Sequence, residues 1–133
     1  MGSRLVDDRG AERGAAAIAT VVAAAFALVL FVGLANLVTV RFTRNAVRAA
    51  LDEGVRAGNR SDAPVAECEA RAGAVLEGLL APAARRAVTI GCAVGGTPEV
   101  VRARATVELV PWWPGLPVWA FTLESAAVRE DLP

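Results

Sequence analysis

The chain contains no histidine, lysine, tyrosine or glutamine. Without histidine there is no Ser-His-Asp or Cys-His arrangement and no imidazole metal ligand, and two cysteines are too few for a thiolate zinc site. Most enzyme classes are thereby disfavoured, and neither a cofactor nor a small-molecule substrate is expected. Charge of one sign is lacking too: the 14 basic residues, all arginine, meet 14 acidic ones for a net charge of zero, and the two kinds are interspersed. No broad basic face of the sort that binds nucleic acid follows from that pattern. Aromatic residues make up only 5% of the chain, so a core has to be built largely from alanine, valine and leucine.

What is present begins with a long charge-free run. From Gly14 to Val40 the chain reads GAAAIATVVAAAFALVLFVGLANLVTV, flanked by Arg13 and Arg41. At ~1.5 Å per residue this is ~40 Å of helix, more than the ~30 Å of a bilayer core. Arg4, Arg9 and Arg13 resemble the n-region of a secretion signal, but the run is about twice the usual h-region, and no A-x-A site follows it. The chain passes instead into RFTRNAVRAALDEGVRAG, so the segment is expected to be retained as a membrane span. Ala15, Ala19, Ala23 and Ala27 recur every fourth residue, and Asn36 adds a polar side chain deep in the run. Both favour packing against other helices in lipid, although an alanine-rich composition also produces such a ridge by chance.

Beyond Val40 the helical spacing continues. Val40, Val47, Leu51, Val55 and Gly58 share one stripe, while Arg44, Arg48, Asp52 and Arg56 stand four apart on another. That second row predicts Arg48–Asp52 and Asp52–Arg56 pairs. The expected organisation is a cytoplasmic tail over 1–13, a transmembrane helix over 14–40, its amphipathic continuation over 41–58 and a small extracytoplasmic head over 59–133. Unbroken helix is expected from about Ala15 to Gly58, with the Val47, Leu51 and Val55 stripe packed on the head.

The head reads as α+β. NRSDAP is turn chemistry with Ser61 or Asp62 as N-cap, and Val65 to Ala81 is an amphipathic helix ending before Pro82. Strands are expected over Ala87–Val94, Val101–Leu109 and Val118–Val128, the first two joined at Gly95-Gly96-Thr97-Pro98. The fold class is therefore a long N-terminal helix carrying one short helix and a three-stranded antiparallel meander packed on it. Cys68 and Cys92 both fall on apolar faces that point into this core. A bridge between them would close a loop of roughly 25 residues and stabilise by ~3 kcal/mol. Two buried free thiols are the other reading. A bridge requires an oxidising compartment, and this choice orients the chain with its N-terminus inside, because arginines balance across the run. Trp112 and Trp113 in the loop PWWPGLP are candidate contacts for a partner subunit or for lipid headgroups, or a cap over the sheet edge. A membrane-anchored enzyme would have to draw on Asp62, Glu67, Glu69, Glu99, Glu108 and Glu124, residues whose spacing is that of ordinary solvent faces.

The segments ERGAAAIA, RNAVRAALDEGVRAG and VWAFTLESAAVRE resemble the TadE-like pilus assembly proteins. These are minor pilin-like components of tight-adherence (Flp, type IVc) pilus systems, here of the actinobacterial type. The resemblance covers most of the chain and is strongest over residues 12–58. It implies a single-pass membrane protein that catalyses nothing and whose partners are other pilin-like subunits and membrane components of the pilus machine. It also implies prepilin cleavage between Gly14 and Ala15. The family's usual glutamate five residues after the glycine is Ala19 here. No phosphate-binding P-loop is present, so assembly energy would come from a separate ATPase. The alternative class is a single-pass membrane-anchored interaction or regulatory module unrelated to pili.

Overall fold

The computed structural model describes residues 4–60, 62–111 and 113–129. Helix α1 spans Arg4–Gly58, with alanine its commonest residue and no proline to interrupt it. Its start lies well ahead of Gly14, so the expected tail is helical from Arg4 onward. The chain divides into two compact units, Met1–Val38 and Thr39–Pro133. The first holds the larger part of α1, including its apolar run as far as Val38. The second takes in the last third of α1 together with the remaining elements, so residues 41–58 belong to the head.

A short turn follows α1, with the Ala63 amide donating to the Arg60 carbonyl at 3.0 Å. Helix α2 then runs Val65–Leu79, and its N-cap is Pro64, without a side-chain cap. The expected cap at Asp62 is thus displaced, and Ser61 lies outside the described residues. Proline disfavours helical geometry at the residue before it, here Ala63, and the helix starts only beyond Pro64. The same restriction acts on Ala81 before Pro82, and α2 ends two residues earlier than its apolar spacing predicts, with Leu80 already extended as its C-cap. Pro82 itself opens α3, a single turn over Pro82–Arg85 that the sequence pattern did not announce.

Strands β1 (Val88–Gly95), β2 (Val100–Leu109) and β3 (Trp119–Val128) form an antiparallel sheet in that order. Cys92 faces Ala103 across the first pair, and Ala105 faces Leu123 across the second. The turn between β1 and β2 places Gly96 at φ +101°, a region that residues with a Cβ rarely enter.

The inner face of β2 carries Val101, Ala103, Ala105 and Val107, all fully buried. It packs on two helical segments: Val47, Ala50, Leu51 and Val55 of α1, and Cys68 and Leu76 of α2. The α1 stripe thus occupies the head core, as its spacing predicts. The helices approach closely at Gly54, where an added Cβ would stand 2.9 Å from the Cys68 carbonyl oxygen and 3.0 Å from the Ala72 Cβ. The polar stripe of α1 departs from expectation. Asp52 accepts a 2.7 Å hydrogen bond from the Ser125 hydroxyl on β3, and Arg56 reaches Glu53 at 3.5 Å. Tertiary contact with β3 takes Asp52 away from the helix-surface pairs.

Candidate interaction surfaces

Three features stand out for function: the apolar surface of α1, the cross-linked core of the head, and the loop between β2 and β3. Between Ile18 and Val38, large apolar side chains are exposed around the helix. Ile18 is 67% exposed, Phe26 64% and Phe31 69%. Ala15, Ala19, Ala23 and Ala27 are exposed as well, and Ala15, Ala19 and Ala23 line a shallow groove with Ile18, Val22 and Phe26. Thr20 donates its hydroxyl to the Ala16 carbonyl at 2.9 Å, so this polar group is satisfied within its own helix. Over Gly14–Gly58 the helix is long and apolar enough to cross a membrane. Gly14 lies inside α1 with open space about its Cα, and Asn36 lies on the same apolar stretch.

In the head, Cys68 and Cys92 are joined by a disulfide, with Cα atoms 6.3 Å apart. The bond ties α2 to β1 across the core. Beside it, the Cys92 amide donates to the Glu69 carboxylate at 3.2 Å, a second tie between the same elements. Sequence spacing could place the cysteines on inward faces, but it gave no sign of the Glu69 contact.

Compared with protein-family models, curated proteins and solved structures, the chain matches none.

The acidic side chains are engaged at separate places. Glu67 pairs with Arg60, Glu99 with Arg129 at 3.2 Å, and Glu124 with Arg104 at 3.1 Å. Asp62 is exposed, and Glu108 lies in a groove with Thr39. Among the described residues, no three His, Cys, Asp or Glu side chains gather where a metal ion could be held.

Arg129 is the polar residue that sequence reasoning missed. Its side chain is only 12% exposed and donates to the Arg60 carbonyl at 3.1 Å and to the Ala63 carbonyl at 2.6 Å while pairing with Glu99. It thereby joins the α1–α2 turn, the start of β2 and the end of β3. An isolated arginine after a strand carries no signal of such a role.

Of the two loop tryptophans, Trp112 lies outside the described residues. Trp113 is 55% exposed.

Proposed function

We propose that this chain is a pilin-like, TadE-like minor subunit or assembly factor of a tight-adherence type IV pilus. It acts through packing of its membrane helix against other helices and through a small extracytoplasmic head. The observation that carries this reading is the double use of α1. Its first part offers apolar side chains all round, and its last third is built into the head core. A subunit that moves from a bilayer into a fibre needs that combination, because the outer helix surface must exchange lipid for neighbouring helices while the head stays folded. The disulfide supports a head outside the cytoplasm, where such bonds persist. The N-terminus is then inside.

Deleting the gene in its native host tests the reading. Loss or strong reduction of tight-adherence pili, restored by the intact gene, is the expected result, and unchanged piliation would refute it. N-terminal sequencing of protein from that host decides whether the mature chain begins at Ala15.

A further inference from the structure

All three tryptophans of the chain, Trp112, Trp113 and Trp119, fall between the end of β2 and the start of β3. Where this segment lies follows from two contacts within the head. The Arg44 guanidinium stands 5.4 Å over the Phe121 ring, and further along both elements Asp52 accepts from Ser125. The helical step between the two contacts is about 12 Å at ~1.5 Å per residue, and the strand step about 13 Å at ~3.3 Å per residue. Within the head, α1 and β3 therefore run side by side in the same direction. Thr39, where α1 joins this unit, stands level with the start of β3. A second observation agrees: Thr39 lines one groove with Arg86, Leu109 and Val110. The chain leaves β2 at Val110, at the end of the head where Thr39 lies.

That segment is apolar, and several of its described residues are exposed. Val110 is 78% exposed and Val118 53%, and Trp113 is exposed between them. Pro111, Pro114 and Pro117 bring no backbone N–H, which lowers the cost of placing irregular chain in a poorly hydrated layer. Arg41 and Arg86 are exposed, Arg41 being the first charge after the apolar run and Arg86 a wall of the groove. Indole rings concentrate at the headgroup level of bilayers, and arginine pairs with lipid phosphate.

We infer that this end of the head is a lipid-docking surface. Residues 110–111 and 113–119 enter the interfacial layer of a bilayer, with Arg41 and Arg86 at the phosphates of anionic lipids. The inference rests on α1 as a membrane span, and it adds a lipid contact made by the head itself.

Intrinsic tryptophan emission reports on this segment alone, so the full chain can be tested unlabelled. It is reconstituted into vesicles of phosphatidylcholine and phosphatidylglycerol, and flotation after an alkaline carbonate wash reads anchoring separately. Expected are a blue-shifted emission and little quenching by acrylamide. Lipid brominated high in the acyl chain should remove roughly half of the emission, and lipid brominated near the terminal methyl should remove less. Val110→Asp, at an exposed site, should restore acrylamide quenching with the circular dichroism unchanged. Arg86→Glu should weaken the gain in bromolipid quenching that added phosphatidylglycerol produces. Tryptophans open to acrylamide and untouched by bromolipid in a chain that floats would overturn lipid docking and leave the anchor standing. Tryptophans shielded from both quenchers would assign the surface to a protein contact and overturn it equally. Failure to float would overturn the anchor and the docking together.

Discussion

Gly54 and Gly73 are both helical glycines with opposite surroundings, and alanine at each should have opposite effects. At Gly54 a Cβ would meet backbone at 2.9 Å, which cannot yield as a flexible side chain would. Gly54→Ala should cost about 1–3 kcal/mol despite a gain of about 1 kcal/mol in helix propensity. Gly73 has nothing within 4 Å of that position, so Gly73→Ala should stabilise by about 0.5–1 kcal/mol. Denaturant unfolding of the two purified variants checks both signs. Arg129 makes the same point for a polar side chain. Arg129→Ala should cost about 2 kcal/mol, because two carbonyls and a carboxylate lose a largely buried donor. Lysine should recover less than half of that loss, since one ammonium cannot reproduce the guanidinium fork. None of these environments can be read from the glycine or arginine codes, because each is made by residues distant in the chain.

At the scale of elements, the lower part of α1 behaves as a core helix of the head. Leu51 is 1% exposed among Val47, Val55 and the inner face of β2. Leu51→Asp buries a carboxylate there and should destabilise the head by more than about 2 kcal/mol, measured as loss of cooperative thermal unfolding followed by the sheet signal. The disulfide contributes at the same scale. Replacing both Cys68 and Cys92 by alanine should lower stability by about 3 kcal/mol, the loop-closure term for a separation of 24 residues. Unfolding of the intact protein with and without reductant provides the comparison. The stripe and the strand alternation were legible because burial on one face imposes a period of 3.6 or 2 on the chain itself. Helix ends were less so, as at Pro64 and Pro82, where a restriction on the preceding residue outweighed the apolar pattern.

For the whole molecule, association in the membrane is the property on which the proposed function depends. Ala23→Leu combined with Asn36→Leu raises apolarity and should leave membrane insertion intact. It removes a small residue from the outward ridge and a polar contact group from the run. Crosslinking to other pilus subunits should be lost, and with it pilus production. Normal crosslinking and piliation in the double variant would reduce α1 to an anchor and favour an interaction module unrelated to pili.

The amino-acid sequence by itself determined the elements whose cause is local or periodic: the charge-free run of α1, its amphipathic continuation, the alternating strands and the inward faces of Cys68 and Cys92. Periodicity carries that information because each residue's neighbours along an element are set by the element's own geometry. Only the tertiary structure decided that Asp52 bonds Ser125, that Arg129 fastens three segments, that Gly54 meets the Cys68 carbonyl, and that the chain leaves β2 at the end of the head where Thr39 lies. Each of these joins residues far apart in sequence, and their meeting depends on strand register and on the direction in which α1 crosses the sheet. No local pattern encodes either.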